Sequence, residues 1–101
     1  MSDVIWIHFA LPRTTWYEQS DERQEELEGQ WAGVKASSRA QGGYGDGPYH
    51  VRGQSDYSTV EVWRFPHADA AFDHWLRLTA VGYSQWFKSS NSIGAKLMEA
   101  S

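Results

Sequence analysis

The 101-residue sequence contains no cysteine, only three prolines and no long apolar run. The absence of cysteine excludes disulfides, thiolate nucleophiles and cysteine-based metal sites. No apolar stretch approaches the roughly 20 residues of a membrane-spanning helix, so no membrane partner is expected. Basic residues are also scarce: nine lysines and arginines stand against thirteen acidic residues, and a net charge of -4 does not suit a nucleic-acid partner.

The length predicts a single domain over residues 1–101. The first residues lack a basic segment and a small-residue cleavage site, so we expect no secretory signal and a cytoplasmic location. What the sequence has in excess is large aromatic rings, with six tryptophans, five tyrosines and four phenylalanines. So many rings suggest that some of them line a second apolar surface, either a ligand pocket or a subunit interface.

The stretch 58–77 joins an alternating strand to a helix through Pro66. Successive strand side chains point to opposite faces, so Val60 and Val62 share one face and Glu61 and Trp63 share the other. After the turn, apolar or small residues recur at helical spacing, namely Ala68, Phe72, Trp75, Leu76 and Thr79. We expect this helix to cover the valine face and to leave the glutamate and tryptophan face bare.

The segments before this stretch predict a strand, a helix and a second strand. Residues 4–11 alternate as a strand, and residues 15–40 suit a helix with an apolar stripe at Leu27, Trp31 and Val34. Four glycines in residues 41–48 predict a loop with positive backbone dihedral angles. The segment lacks the residue order of a phosphate-binding loop, so nucleotide binding is not expected. Residues 49–54 alternate again and lead through a hairpin turn into the central strand.

The end of the chain completes the predicted order. Residues 82–87 extend or restart the second helix, the serines and asparagine that follow are interpreted as a break, and residues 93–98 suit a weak last strand. The resulting order βαββα(β) is that of an α+β ferredoxin-like fold, in which helices cover one face of an antiparallel sheet.

The bare face of this sheet is expected to be aromatic and polar. Its predicted members are Trp6, His8, His50, Arg52, Glu61, Trp63 and Phe65. An exposed patch with two indoles is unfavourable in a monomer. Pairing two such sheets face to face would bury the patch and enclose a cavity, so the sequence predicts a symmetric homodimer.

The strand VEVW, the short turn and the helix AAFDHW resemble the antibiotic biosynthesis monooxygenase-like family of the dimeric α+β barrel superfamily. Members of that family carry an E-V-W strand followed by a helix with A-x-x-x-H, and Glu61, Val62, Trp63, Ala70 and His74 match this pattern. The resemblance is close over residues 58–85 and covers the remainder by element order. It implies the dimeric barrel fold, whereas the activities of the superfamily range from cofactor-independent monooxygenases and haem-degrading enzymes to polyketide cyclases and dehydratases.

The chain departs from the haem-degrading members that it resembles at Trp63. Those members place an iron-binding histidine in the second half of the helix, where this sequence has Tyr83, Ser84 and Gln85. They also carry an asparagine on the first strand, close to the position of His8. The resemblance therefore does not extend to haem, and we expect no bound cofactor.

Four residues are candidates for catalysis. His8 lies among apolar residues, and the ordinary pKa of histidine suits proton transfer near neutrality; an interface hydrogen bond across the dimer explains it equally well. His74 would reach the cavity mouth or would simply pack at the helix edge. Glu61 and Arg52 form either a cross-strand ion pair or a site in which Arg52 holds an enolate oxygen.

A second group of residues is expected to bind the substrate. Trp6, Trp63 and Phe65 would form the wall of the cavity or fill the interface, and His50 and Tyr83 would add polar contacts. The histidines have no metal-binding spacing, so no metal is expected. No nucleophile motif is present either, which leaves covalent catalysis without support.

Two functions from different classes agree with this pattern. The first is a small enzyme that acts on a flat, oxygenated aromatic or polyketide-like molecule by oxygenation, cyclisation, dehydration or isomerisation, without a tightly bound cofactor. The second is a non-catalytic homodimer that binds a small molecule or closes its cavity with tryptophan. An open cavity beside His8 would favour the enzyme.

Overall fold

The structure, a computed structural model, describes residues 4–53 and 56–96. They form one four-stranded antiparallel sheet in the order β2-β3-β1-β4. The strands and helices along the chain are β1 Val4–Pro12, α1 Thr14–Tyr17, α2 Asp21–Ala40, β2 Tyr44–His50, β3 Thr59–Phe65, α3 Ala68–Ala80, α4 Tyr83–Trp86 and β4 Phe87–Ala95. The predicted α+β ferredoxin-like fold is confirmed, including its last strand.

The long helix α2 begins at a serine cap. The Ser20 hydroxyl accepts a hydrogen bond from the backbone N–H of Arg23 at 3.1 Å, and Asp21 and Glu22 occupy the first turn, where the helix dipole favours acidic side chains. Its buried side chains, Leu27, Trp31 and Ser38, recur at intervals of four and seven residues. A separate single turn, α1, precedes this helix, so the predicted helix over residues 15–40 is interrupted.

Helix α3 begins at His67, whose Nδ1 accepts a hydrogen bond from the Ala70 N–H at 3.2 Å. Its buried face is made of Ala71, His74 and Leu78. The buried face predicted for this helix from the sequence is wrong by part of a turn. It included Phe72 and Leu76, whose exposed fractions are 55% and 64%. Several registers of an apolar stripe are possible on such an aromatic-rich helix, and only packing selects one.

The helices were expected to cover the valine face of the sheet, but they cover the opposite face, which carries Trp6 and Trp63. On β1, Val4, Trp6, His8 and Ala10 are buried, whereas the residues between them are only half-buried. The residues of the central strands that point away from the helices are Ile5, Ile7, Phe9, Val60 and Val62, called here the open sheet face. The aromatic side chains instead form the core with the helices. Large indoles from the helices pack most completely against large rings of the sheet, and this favours the aromatic face.

The core beneath the helices is built mainly from rings. Its buried members are Trp6, Trp16, Leu27, Trp31, Trp63, Phe65, Ala71, Leu78, Tyr83 and Trp86. Trp63 has no exposed surface, and its ring stacks on that of Phe65 with 5.6 Å between centroids. Most of the excess of tryptophan is therefore used within one chain.

Strand β2 includes part of the glycine-rich segment that was predicted to be a loop. Gly42 and Gly47 have positive φ angles of 101° and 111°, as expected, and the Gly47–Pro48 peptide is cis. The register of β2 on β3 shifts between Asp46 and Tyr49. The predicted pairing of the second and third strands is confirmed, but the paired part starts five residues earlier, at Tyr44 instead of residue 49. Residue 54, the end of the predicted second strand, lies outside the described residues.

Strand β4 pairs with β1 from Phe87 to Ala95. The segment Ser89–Ser92, interpreted from the sequence as a break, lies in the middle of this strand. Of the predicted strand 93–98, the last two residues lie outside the described part of the chain. Gly82, with φ of 83°, separates α3 from the single turn α4 that leads into β4.

Candidate functional site

Both ring nitrogens of His8 are hydrogen-bonded in the core between the sheet and the helices. Nε2 lies 2.8 Å from the hydroxyl oxygen of Tyr83, and Nδ1 lies 2.5 Å from the side-chain oxygen of Asn91. The His8 side chain is almost fully buried, with 2% of its surface exposed. Trp6 stacks on the imidazole with 4.8 Å between the ring centroids. The ring is therefore fixed in both position and plane.

The partners of His8 also determine its tautomer. An amide oxygen only accepts hydrogen bonds, so Nδ1 carries the proton and donates it to Asn91. Nε2 then carries a lone pair and accepts a hydrogen bond from the Tyr83 hydroxyl. Burial lowers the pKa of His8 below its ordinary value, against the opposing effects of Asn91 and Glu61, while burial raises the pKa of Tyr83. At neutral pH the pair is thus a neutral base facing a neutral phenol.

Glu61 lies directly across the strand pair from His8. One carboxylate oxygen accepts from the Lys35 ammonium at 3.2 Å, and the other accepts from the Trp63 indole N–H at 3.1 Å. Burial acts to raise the pKa of this carboxyl, but the lysine and the indole N–H together outweigh burial and lower it. Glu61 is therefore a carboxylate beside the imidazole, and it favours a positive charge on His8.

A cavity of about 270 Å³ opens between α2 and the sheet, and we call it the Lys35 cavity. Its wall includes Trp31, Lys35, Pro48, Glu61, Tyr83 and Phe87. His8 does not line it, but it is hydrogen-bonded to Tyr83, which does. Aromatic walls with an ammonium, a carboxylate and a phenol on one side suit a flat organic molecule that carries oxygen atoms.

A second cavity of about 340 Å³ lies between α3 and strands β1 and β4. Six residues line it, namely Trp6, Ala71, Phe72, Trp75, Asn91 and Ile93. We call it the Asn91 cavity. His8 thus lies between two openings and has one hydrogen-bond partner on the wall of each.

His74 is completely buried between α3 and the sheet, among the rings of Trp6, Trp63 and Phe65. Its Nδ1 lies 2.5 Å from the Ser38 hydroxyl, which also accepts from Arg77 at 2.9 Å. Its Nε2 is buried and has no partner among the described residues. Burial, with a contribution from Arg77, lowers the pKa of His74 to about 4. His74 lines neither of the two cavities.

The other residues expected at the site are separated by the structure. Trp6, Trp63 and Phe65 lie under the helices instead of between two sheets, and of these three Trp6 alone lines one of the two cavities described above. His50 and Arg52 are exposed at and beyond the end of β2. The expected ion pair of Arg52 with Glu61 is wrong, because Lys35 holds that carboxylate. The second strand starts earlier than predicted, and this moves both residues out of the sheet centre.

The sequence interpretation missed two residues of the site. Lys35 is one of many polar residues of α2 and was not singled out, and Asn91 was assigned to a break between elements. Each contacts a partner far away in sequence, Glu61 and His8 respectively. The only local signal was the alternation of residues 87–95, in which Asn91 has the same parity as Phe87 and Ser89.

The residues present do not suit haem or a metal ion. Both nitrogens of His8 are already hydrogen-bonded, and the unpaired nitrogen of His74 is enclosed by rings and faces neither cavity. Within residues 4–53 and 56–96 there is no group of three or more histidine, aspartate or glutamate side chains that could hold a metal.

No protein-family model matches the chain, and no curated protein matches it. Solved structures do share its fold. A mutant chlorite dismutase from Candidatus Nitrospira defluvii superimposes with a TM-score of 0.75 and 11% identity over 93% of this chain. The alignment spans 40% of that chain, so this protein corresponds to less than half of it.

Two further neighbours match over nearly their whole length. A mutant of SnoaB, a cofactor-independent oxygenase from Streptomyces nogalater, has a TM-score of 0.55 and 12% identity, covering 98% of this chain and 97% of its own. A dimeric ferredoxin-like protein from an uncultured marine organism has a TM-score of 0.58 and 12% identity, covering 99% and 98%. At these identities the likeness establishes the ferredoxin-like fold.

Proposed function

We propose that this chain is a small enzyme that removes a proton from a flat, oxygenated organic substrate held in the Lys35 cavity. The observation that carries the proposal is the hydrogen bond between His8 and Tyr83, because Tyr83 lines the cavity and its hydroxyl is bonded to His8, a neutral base that does not itself line the cavity. A buried, oriented base that acts through one bridging hydroxyl is an arrangement by which general base catalysis can operate.

The proposed step is a relay of two proton transfers. The substrate C–H or O–H proton moves to the Tyr83 oxygen as the Tyr83 proton moves to Nε2 of His8, and the electron pair of the broken bond stays on the substrate as an enolate. Because burial opposes a free phenolate, the two transfers are coupled. Glu61 stabilises the resulting imidazolium, and the ammonium of Lys35 stabilises the enolate oxygen.

The fate of the enolate defines the overall reaction. Protonation at another carbon gives an isomer, and loss of a hydroxyl as water gives a dehydration. Reaction with dioxygen would convert a ring CH₂ into C=O with release of one water, and this balance requires no external reductant. Resemblance to the monooxygenase-like family and the shared fold of a cofactor-independent oxygenase support this last route. The proposal includes no cofactor.

The roles expected for the remaining residues change with the geometry. Arg52 is replaced by Lys35 as the group that holds the anionic oxygen, and His74 is left as a structural residue. Trp31 and Phe87 replace Trp63 and Phe65 as the walls against which a flat substrate packs.

We also propose that the functional unit is a homodimer. The open sheet face presents five half-buried apolar side chains that none of the helices in residues 4–53 and 56–96 covers, and a second copy would cover them. The dimeric ferredoxin-like neighbour supports this assembly. No helix within the described residues is long and apolar enough to cross a membrane; a single domain over residues 1–101 and a cytoplasmic location remain part of the proposal.

The first experiment is a ligand and turnover screen with flat phenols, quinones and aromatic acids under air. We expect turnover of one class, and substituting His8→Ala or Lys35→Met should reduce it by about 100-fold or more. Circular dichroism and sedimentation would verify that each variant keeps its fold and assembly. Unchanged turnover in His8→Ala would overturn the assignment. Ligand binding without turnover by any class would favour the non-catalytic, small-molecule-binding homodimer.

A further inference from the structure

The Asn91 cavity lies apart from the Lys35 cavity, with the His8 ring between them. Its walls are rings: Trp6 at the sheet, and Phe72 and Trp75 on α3, with Ala71 leaving room between them. Its volume of about 340 Å³ lies within the range of small-molecule pockets, about 300–1,000 Å³. These dimensions and walls suit one planar ring and a short substituent.

The lining of this cavity disfavours ionic ligands. Of the residues that the structure describes, none that lines the cavity carries a charge. An ionised ligand would lose part of its hydration here without gaining a charged partner, and this is unfavourable. The ligand is therefore neutral, in contrast to the anionic species proposed for the Lys35 cavity.

One polar side chain determines what the ligand must carry. The oxygen of Asn91 is occupied by the Nδ1–H of His8, so the amide NH₂ of Asn91 is the group that can face the cavity. An NH₂ group only donates hydrogen bonds, and a matching ligand must present an acceptor oxygen. A carbonyl on an aromatic ring meets both requirements.

We propose that the Asn91 cavity is a second binding site, which takes a neutral aromatic carbonyl compound. The ring packs against Trp75 and Phe72, and the carbonyl oxygen accepts from the Asn91 amide. Because the same amide holds Nδ1 of His8, and Trp6 both lines the cavity and stacks on His8, the bound molecule contacts two groups that orient the imidazole. The site gives the protein a way to respond to a neutral aromatic compound at a distance from the Lys35 cavity.

The test is a titration of the protein with acetophenone, followed by the indole N–H signals in NMR spectra. We expect saturable shifts of Trp75 and Trp6, with benzoate binding at least about tenfold more weakly because of its charge, and ethylbenzene about fivefold more weakly because it lacks the carbonyl. Shifts that do not saturate, or equal binding of benzoate, would overturn the proposal. Absence of binding in a stable dimer would mean that the partner covers the cavity, and would overturn it as well.

Two exposed residues of α3 supply a matched pair of variants. Phe72→Ala removes one wall and should weaken acetophenone binding about fivefold. Leu76→Ala, an equally exposed change one turn further along that does not line the cavity, should leave binding within about twofold. Lys35→Met should also leave acetophenone binding unchanged, so the outcome is independent of the proposed reaction. Equal effects of Phe72→Ala and Leu76→Ala would contradict the assignment.

Discussion

The hydroxyl of Tyr83 lies 2.8 Å from Nε2 of His8, although the two residues are separated by 75 positions in sequence. Tyr83→Phe keeps the ring that packs against Phe87 but removes the proton relay. We expect kcat to fall by about 100-fold or more, while KM changes little. Tyr17→Phe, an exposed control on α1, should leave both constants unchanged. If the two variants behave alike, Tyr83 does not take part in the reaction.

Asn91 sets the protonation of His8. Asn91→Asp places a carboxylate against Nδ1, and this should raise the pKa of His8 and move the acidic limb of the pH–rate profile to higher pH. The ring can be followed directly by ¹⁵N NMR, which should give Nδ1–H in the wild type. Gln30→Glu adds the same charge on the exposed surface of α2, away from His8 and from the open sheet face, and should shift the profile much less. An unchanged histidine pKa in Asn91→Asp would contradict the hydrogen bond.

His74 should make the protein sensitive to acid. Its pKa is lowered to about 4 in the folded chain, so between that pH and the ordinary value near 6.5 the unfolded chain binds more protons. The contribution of His74 to the free energy of unfolding is therefore fully present above about pH 6.5. It decreases as the pH falls towards 4, by up to about 3 kcal/mol. Urea unfolding at pH 7 and pH 5 would measure the difference.

The control for this acid sensitivity is a pair of glutamine variants. His74→Gln should be less stable at pH 7, yet it should lose less stability between pH 7 and pH 5 than the wild type. His50→Gln, at an exposed site, should keep the wild-type dependence. A pH dependence that is the same in all three proteins would show that His74 titrates normally.

Gly45 is required by the ring of Trp63. A Cβ atom at Gly45 would lie 2.3 Å from that indole, whereas one at Gly29 would meet nothing within 4 Å. We expect Gly45→Ala to destabilise the fold by about 1–3 kcal/mol through overpacking. Gly29→Ala should stabilise it by about 0.5–1 kcal/mol, because alanine favours the helix. Denaturant midpoints of the two variants should therefore move in opposite directions; movement in the same direction would contradict the contact.

The open sheet face should hold the dimer. Val62→Glu places a charge at its centre and should produce a monomer in sedimentation experiments, because burying an unpaired carboxylate across an apolar interface is costly. Leu76→Glu, on the exposed surface of α3, should not change the mass. A Val62→Glu protein that stays dimeric would place the interface elsewhere on the chain.

The sequence was sufficient to predict the order of the elements and the antiparallel sheet, since alternation in β1 and β3 and the helix after Pro66 are local patterns. Alternation does not say which face the helices cover. On β1 both faces are largely apolar, and the polar residues His8 and Glu61 suggested a bare face. His8 is buried and Glu61 is partly buried on the helix side, because partners from β4, α4 and α2 satisfy their polar atoms.

The site could be predicted only in part for the same reason. His8, Glu61 and Tyr83 were identified from residue type and position, but the hydrogen bonds that give them a chemical role join residues far apart in sequence. Lys35 and Asn91 carry no local mark of function. Arg52 was misplaced because the irregular, glycine-rich start of β2 shifts its paired residues towards the N-terminus.

Both hydrogen-bond partners of His8 come from one continuous segment, since α4 leads directly into β4. The imidazole therefore has a complete environment only when this segment has paired with β1. The chain can be viewed as two complementary fragments that meet at Gly82, the first holding the histidine and the second supplying the phenol and the amide. In a chain cut at Gly82, assembly of the site would therefore require docking of the second fragment onto β1, and it would depend on the concentration of both fragments.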